Sequence, residues 1–255
     1  MYNIEDFTEE NYRKIIKSIK EKYVFSYFAQ GSIEHSNEHM VLMRHDIDYS
    51  INRAYRLAMI ESEEGVKSTY FVHFHSPMYN PLESSQAKIL RTIAAMGHHI
   101  GLHFDHAFYK EVMNETNDET MQKHAMREKE ILENLVGANV NVVSFHNPEA
   151  SNTLDIEDDY YAGMLNAYAK IVKERFHYCS DSNGYWRFER LSEAVEKGYD
   201  RLHILTHPVW WTPEEMTPYD RIKRCLYGRT EANLKEYSEF LQLCGRKNIG
   251  LENGN

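Results

Sequence analysis

The chain has 255 residues, 42% of them hydrophobic, and a formal net charge of −10 at pH 7. A chain of this length can bury the core of one α/β domain, so we expect a single domain over residues 1–255. The negative charge and the lack of a dense Lys/Arg segment argue against nucleic acid or an anionic membrane as the main partner, because both are bound largely through basic patches.

Short apolar runs alternate with helical patterns along the chain. Thr8 can cap a helix that runs to about Lys22, and a strand is predicted at 24–28. Together they form a predicted N-terminal extension over 1–39. A core at 40–211 has predicted strands at 40–44, 68–72, 98–103, 140–145 and 202–206, and helices at 50–64, 85–96 and 119–135. A C-terminal helical segment covers 212–255. Strands separated by helices imply parallel βα units, which predict a barrel or a long doubly wound sheet.

Two aspartates follow the predicted strand at 40–44. Period-2 alternation points Asp46 and Asp48 to the same side of the strand and Ile47 to the other. One carboxylate can then hold a metal ion while the other stays free to act as a base. The alternative interpretation is that Asp46 or Asp48 caps the following helix.

Histidines follow three other predicted strands. His103 and His106 are three residues apart, so both imidazoles can face one point if a helix begins after His103. Asp105 lies between them, and His146 and His207 follow the next two strands. Carboxylate and imidazole are ligands that zinc takes from proteins, and the chain has no Cys-x-x-Cys pair to offer thiolates. Because the carboxyl ends of parallel strands meet at one edge, we expect one divalent-metal site, with zinc as the metal.

Five segments resemble, in the same order, the motifs of the polysaccharide deacetylase (NodB-homology, carbohydrate esterase) superfamily. They are 44–48 (RHDID), 67–72 (KSTYFV), 97–103 (GHHIGLH), 144–148 (SFHNP) and 205–208 (LTHP). The resemblance runs over about residues 40–211 and implies an α/β fold, the distorted (β/α) barrel of that superfamily. It also implies a divalent metal, usually zinc, held by an Asp-His-His set, and removal of N- or O-acyl groups from sugars.

The resemblance also implies roles for single residues. Asp46 corresponds to the base, Asp48 and His103 to metal ligands, and His207 to the general acid. The third ligand stays open, because the superfamily commonly places its second histidine four residues after the first and Ala107 occupies that position here.

His106 and His146 are rivals for this third ligand. A subgroup that deformylates lipid-linked aminoarabinose has a Gly-Leu-His run followed by Asp-His, which favours His106. His146 lies just before Pro148, where superfamily members usually carry an arginine. Asp105 could also reach the metal.

Residues beside the first aspartate are predicted to support it. Arg44 and His45 are placed to keep Asp46 ionised, and we also expect His45 among the substrate-binding residues. The alternative for Arg44 is a structural ion pair that points into the barrel.

Further aromatic and acidic residues resemble the surroundings of the acidic histidine in the superfamily. Asp181 is expected to orient His207, and Trp186 to line the substrate pocket, with a core aromatic as the alternative for Trp186. Trp210 is predicted to stack on a sugar ring, and the alternative is that it only packs at the rim of the site.

The function that these features predict is metal-dependent hydrolysis of an N-acyl or O-acyl group on an amino sugar, in cell-surface glycan biosynthesis. The N-terminal residues lack a secretory signal and no apolar run approaches the ~20 residues of a membrane span, so we expect a cytoplasmic enzyme acting on a nucleotide- or lipid-linked sugar. Two alternatives are a non-catalytic carbohydrate-binding or assembly protein on the same barrel and an amidohydrolase acting on a non-sugar molecule such as a cyclic ureide.

Overall fold

The chain forms one predominantly parallel sheet flanked by helices. A computed structural model describes residues 3–29, 33–34 and 39–250. The strands within them are β1 (Val24–Ser26), β2 (Met40–Ile47), β3 (Thr69–Val72), β4 (His99–Phe104), β5 (Val142–Phe145), β6 (Tyr160–Tyr161), β7 (Met164–Asn166), β8 (His177–Ser180) and β9 (Arg201–Thr206). The helices are α1 (Glu9–Lys22), α2 (Ile51–Glu63), α3 (Ser84–Ala95), α4 (His106–Met113), α5 (Asp118–Val136), α6 (Lys170–Arg175), α7 (Leu191–Lys197) and α8 (Pro218–Leu243).

The strand order is β6-β7-β5-β4-β3-β2-β9-β8, and β1 also pairs with β2. Each of these pairings is parallel except that of β6 with β7. Among the described strands, no ladder joins β8 to β6, so the sheet forms a half-barrel that does not close. This arrangement is the distorted (β/α) barrel that the sequence predicts.

Strand β2 lies inside the sheet, between β3 and β9, and carries the first aspartate of the candidate site. All eight of its residues are buried, and it pairs in parallel with both β3 and β9. The ends of neighbouring strands are in register, with Ile47 opposite Val72 and Phe104 opposite Phe145. Side chains that follow β2, β3, β4, β5 and β9 therefore emerge at one edge of the sheet.

The helices begin where local sequence signals place them. The Thr8 hydroxyl accepts a hydrogen bond from the Asn11 amide at 3.2 Å at the start of α1, and Ser50 does the same for the Arg53 amide in α2. Helix α1 then buries one apolar face against the barrel, at Tyr12, Ile15, Ile16 and Ile19. The predicted caps and the predicted apolar face of α1 are confirmed.

Several boundaries differ from the prediction. The strand predicted at 24–28 ends at Ser26, and the one predicted at 140–145 begins at Val142. Strands β6, β7 and β8 and helices α6 and α7 were not predicted, because elements of two to seven residues are too short to show a periodic pattern. None of the helices within 3–29, 33–34 and 39–250 is both long and apolar enough to cross a lipid bilayer.

Candidate metal and active site

The two aspartates at the end of β2 face the same histidine. His103 Nε2 lies 3.2 Å from Asp48 Oδ1 and 3.8 Å from Asp46 Oδ2, as the period-2 alternation requires. Arg44 Nη2 donates to Asp46 Oδ2 at 3.1 Å, while Asp46 Oδ1 is buried without a hydrogen-bond partner in the described part of the chain. Ser50 caps α2, so neither aspartate has the capping role that was the alternative interpretation.

Three imidazoles from three adjacent strands surround Asp48. His73 follows β3, His103 lies in β4 and His146 follows β5, and their ring centroids are 4.2 to 5.7 Å apart. One ligand atom each from Asp48, His73 and His146 lies within 4.8 Å of the others. One carboxylate and two imidazoles are ligands of a kind that divalent metal ions take from proteins.

Asp105 contacts two of these imidazoles through one oxygen of its carboxylate. Its Oδ2 is 3.3 Å from His73 Nε2 and 3.5 Å from His146 Nδ1, while its Oδ1 caps α4 by accepting from the Ala107 amide. His73 Nδ1 is then left buried with no partner in the described residues. A carboxylate on one ring nitrogen and a free nitrogen on the other is the usual arrangement of a metal-binding histidine. His73 therefore fits a metal ligand, while the second ring nitrogen of His146 lies 3.2 Å from Asn147 Nδ2.

The Asp48 carboxylate is held in the ionised form. Burial alone would raise the pKa of Asp48, but the hydrogen bond from His103 and the charges of His207 and His103 outweigh it and hold that pKa well below its usual range. Burial lowers the pKa of His73 to about 4, which keeps this imidazole neutral. Metal binding requires a carboxylate and a neutral imidazole of this kind.

His207 and Asp181 form a hydrogen-bonded pair beside the cluster. His207 Nδ1 lies 2.7 Å from Asp181 Oδ1, and the buried Asp181 also accepts from the His207 backbone amide and from Trp211 Nε1. His207 Nε2 is 3.7 Å from Asp48 Oδ2. Burial disfavours charge on His207, yet the contact with Asp181 outweighs it and raises the pKa of His207 to about 9. The structure brings Asp181 and His207 together as predicted.

A cavity of about 340 Å³ reaches part of this cluster, and His73 and His146 are not among its lining residues. Asp46, Asp48, His103 and His207 form its floor. Its walls combine polar and charged residues, among them Glu149 and Arg187, with the aromatic side chains of Tyr49, Phe145, Tyr168, Tyr178, Phe188 and Trp210. Trp210 therefore contributes to the pocket. Arg44 is buried beneath the cavity and donates to both Asp46 and the Tyr168 hydroxyl. It therefore forms an ion pair inside the barrel, and the aspartate it pairs with is Asp46.

The structure does not bring His106 into the cluster. Strand β4 continues to Phe104, Asp105 becomes the cap of α4, and His106 turns away as its first helical residue. His106 Nε2 lies 2.9 Å from the Tyr161 hydroxyl, and its ring packs among Phe104, Phe145 and Tyr161. The geometry corrects the sequence-based preference for His106 over His146.

Two predicted substrate-binding residues also lie outside the cavity. His45 is fully buried on the face of β2 opposite the aspartates, where its Nε2 is 2.8 Å from Glu61 Oε1. Trp186 donates to Asp6 and stacks on Phe7 at 5.2 Å, which is the core-aromatic alternative. Neither side chain lines the pocket, so both assignments are corrected.

His73 was missed from the sequence. The signal was present, because His73 follows β3 immediately and parallel strands deliver their following residues to one edge. The motif at 67–72 ends one residue before it, so the prediction stopped too early.

No protein-family model and no curated protein matches this chain. Among solved structures, a carbohydrate esterase family 4 pseudoenzyme from Bacillus anthracis is 12% identical, with a TM-score of 0.42 over 78% of this chain and 63% of its own. A family 4 carbohydrate esterase from the same organism is 14% identical, with a TM-score of 0.44 over 87% and 86%. The catalytic domain of a peptidoglycan N-acetylglucosamine deacetylase from Eubacterium rectale is 13% identical, with a TM-score of 0.45 over 78% and 87%. The chain spans 63–65% of the length of the pseudoenzyme chains.

Proposed function

We propose that this chain is a metal-dependent hydrolase that removes the acyl group from an N-acylated amino sugar. The observation that carries the proposal is the pairing of two proton-handling groups across one cavity. Asp46 offers a carboxylate oxygen that has no partner in the described part of the chain, and the His207–Asp181 pair offers an imidazole whose Nε2 is 3.7 Å from Asp48 Oδ2. One base and one acid flanking a metal site suit hydrolysis of an amide or ester.

We propose that Asp48, His73 and His146 hold the metal, with zinc as the metal. His103, which the resemblance implies as a ligand, is not one of these three. Its Nε2 lies 3.2 Å from Asp48 Oδ1, and its Nδ1 lies 2.6 Å from the Ser144 hydroxyl. The donors are oxygen and nitrogen, without thiolate, which suits zinc and other borderline divalent ions. When bound, the ion would polarise the acyl carbonyl and lower the pKa of a water molecule.

The chain's own residues then move the protons. Asp46 takes a proton from the attacking water, and Arg44 holds this carboxylate in place by donating a hydrogen bond to its other oxygen. His207 gives a proton from Nε2 to the leaving amine or alkoxide, while Asp181 holds the opposite ring nitrogen in place. Each transfer is expected to contribute about 10²–10⁴-fold to the rate.

The cavity supports a small ring-shaped substrate. At about 340 Å³ it is near the lower end of the ~300–1,000 Å³ typical of ligand pockets, and the aromatic side chains in its walls suit the apolar face of a sugar. We propose a nucleotide- or lipid-linked acylated amino sugar in the cytoplasm, on the path to a cell-surface glycan.

Metal analysis combined with an acyl-release assay tests this function. Purified protein should hold one equivalent of zinc and release acid from acylated amino sugars that are nucleotide- or lipid-linked, and a chelator should abolish this release until zinc is returned. His99→Ala is a matched control, because His99 lies at the opposite end of β4 from His103. Stoichiometric metal without any hydrolysis across these substrates would favour the carbohydrate-binding alternative.

A further inference from the structure

Tyr168 places a hydroxyl group beside the two aspartates of the candidate site. The residue follows β7 and lines the cavity together with Asp46 and Asp48. Its hydroxyl oxygen lies 2.7 Å from Arg44 Nη2, and the same nitrogen donates to Asp46 Oδ2 at 3.1 Å. The phenol of Tyr168 and the carboxylate of the proposed base therefore share one donor and lie close to each other.

The hydroxyl proton of Tyr168 has no acceptor within the described part of the chain. The hydroxyl oxygen accepts the hydrogen bond from Arg44, because a guanidinium group can only donate. Within 3–29, 33–34 and 39–250, this contact is the one hydrogen bond of the Tyr168 side chain. The tyrosine's own proton is therefore available to a molecule that enters the cavity.

This hydroxyl is suited to donate a strong hydrogen bond. Burial and the charge of Asp46 raise the pKa of Tyr168 above its usual value and outweigh the opposing effect of Arg44, so the group keeps its proton at neutral pH. Accepting a hydrogen bond from the cationic Arg44 polarises the phenol O–H bond and strengthens it as a donor. No hydrogen bond joins Arg44 to Tyr49 or Tyr178, the other described tyrosines that line the cavity.

The position of Tyr168 is fixed by its surroundings. Its backbone amide donates to the side chain of the fully buried Asn166 at 2.9 Å, and Asn166 in turn donates to the carbonyl groups of Ile156 and Asp158. The ring stacks on that of Phe145, with 6.0 Å between centroids and 13° between planes. A donor held in place beforehand does not have to reorganise when charge develops on a substrate, and this makes such groups effective in catalysis.

We propose that Tyr168 is a catalytic residue that donates a hydrogen bond to the acyl oxygen as that oxygen takes up negative charge. The proposal rests on the hydrolase function, in which Asp46 takes the proton of the attacking water and His207 protonates the leaving group. Attack moves an electron pair of the C=O bond onto the acyl oxygen, and this pair returns when the bond to the leaving group breaks. The hydroxyl proton stays on Tyr168 throughout. The carboxylates of Asp46 and Asp48 cannot stabilise this charge, so the site needs such a donor beside them.

Acetate tests the donor without any turnover, because its carboxylate presents the charged oxygen that the acyl group acquires. Sodium acetate is titrated calorimetrically into the zinc-loaded protein. Tyr168→Phe should raise the dissociation constant by about tenfold or more, the effect of losing a hydrogen bond to a charged group. Tyr161→Phe is the matched control and should leave the affinity unchanged, since the Tyr161 hydroxyl contacts His106 and does not line the cavity. Equal acetate affinity in wild type and the Tyr168 variant, including binding by neither, would overturn the proposal.

A neutral ligand separates hydrogen bonding from a general disturbance of the site. Acetamide has the shape of acetate without its charge, and a hydrogen bond to a charged oxygen is roughly twice as strong as one to a neutral oxygen. Tyr168→Phe should therefore weaken the binding of acetate more than that of acetamide, and it should keep the zinc content of wild type. An equal loss for both ligands, or a loss of zinc, would show that Tyr168 only packs in the cavity wall and would overturn the proposal.

Kinetics distinguish this proposal from the proposed function. On any acylated amino sugar that wild type hydrolyses, Tyr168→Phe should lower kcat by about 10²–10³-fold and leave KM close to that of wild type. A change in KM alone would contradict a role in stabilising the developing charge. Absence of hydrolysis by wild type would refute the hydrolase function, whereas the acetate comparison still decides whether Tyr168 donates to a charged oxygen. The two proposals can therefore fail separately.

Discussion

At the scale of single residues, Asp46 and Asp48 differ in what surrounds them. Asp46 is buried and held through one oxygen by Arg44, while its other oxygen has no hydrogen-bond partner among the described residues. Asp48 lies among imidazoles, with His103 at 3.2 Å. The first is therefore suited to accept a proton and the second to hold a metal ion.

Replacing Asp46 by Asn should separate these two roles. The variant keeps the shape of the side chain but removes its basic carboxylate, so it should retain its zinc and lose activity by ~10²-fold or more. Elemental analysis and acyl release on the same preparation measure both quantities. Hydrolysis at a near-wild-type rate would contradict the proposed base.

The third ligand can be decided by comparing histidine variants. His73→Ala and His146→Ala should each weaken zinc binding strongly, because each removes one of the three clustered ligand atoms. His106→Ala should keep its affinity for zinc, since His106 contacts Tyr161 instead. Zinc titration against a chromophoric chelator gives the affinities. Loss of binding in the His106 variant alone would restore the sequence-based choice.

At the scale of the elements, β4 fits against its neighbours only because it contains a glycine. A Cβ on Gly101 would lie 2.7 Å from two ring atoms of Phe71 and 3.0 Å from Val142 Cγ1. Both neighbours are buried in the sheet, so they have little room to move. The approach of β3 and β5 to β4, and with it the position of His103, depends on this residue.

Gly101→Ala should therefore destabilise the protein by about 1–3 kcal/mol, the usual cost of an overpacked core. Gly228→Ala is the matched control, because nothing lies within 4 Å of its added Cβ. In the middle of α8 this change should be neutral or stabilise by up to about 1 kcal/mol. Urea denaturation measures both. Equal free energies of unfolding for the Gly101 variant and wild type would contradict the tight contact.

At the scale of the whole molecule, Glu61 of α2 links helices to the sheet. Its fully buried carboxylate accepts from Tyr12 of α1 at 2.6 Å and from Tyr70 of β3 at 2.7 Å, and it lies 2.8 Å from His45 Nε2 of β2. His45 in turn contacts Thr206 of β9 at 2.6 Å. One buried carboxylate thus connects the two central strands to two surrounding helices.

This network makes stability depend on pH. Burial would raise the pKa of Glu61, but the charge of His45 and its hydrogen bond outweigh it and lower that pKa from 4.5 to about 2. The ionised carboxylate therefore adds to the free energy of unfolding above pH 4.5, and this contribution fades as the pH falls toward 2.

Glu61→Gln should lower the free energy of unfolding by about 3 kcal/mol at neutral pH, since it leaves buried partners without their charge. The difference from wild type should shrink between pH 4.5 and pH 2. Glu63→Gln, on the exposed side of the same helix, should change stability by less than about 0.5 kcal/mol. Denaturation curves across this pH range provide the measurement. A difference that is constant with pH would show that the charge of Glu61 is not involved.

Local patterns predicted much of this molecule. The caps at Thr8 and Ser50 and the shared side of Asp46 and Asp48 depend only on neighbouring residues, and each is present. The same alternation also placed His45 on the face opposite the aspartates, so its position away from the cavity could have been inferred from the sequence, whereas its contact with Glu61 could not.

The sequence by itself determined the parallel α/β fold and the edge of the sheet where acids and imidazoles gather, because helix and strand periodicity are local. Only the tertiary structure decided which imidazoles meet. His106 turned away because β4 continued one residue further than predicted and Asp105 became a cap, and His73 entered because β3 lies beside β4. Trp186 donates a hydrogen bond to Asp6, which is far away in the sequence. These outcomes depend on strand ends and contacts between distant segments, and a shift of one residue there reverses the direction of a side chain.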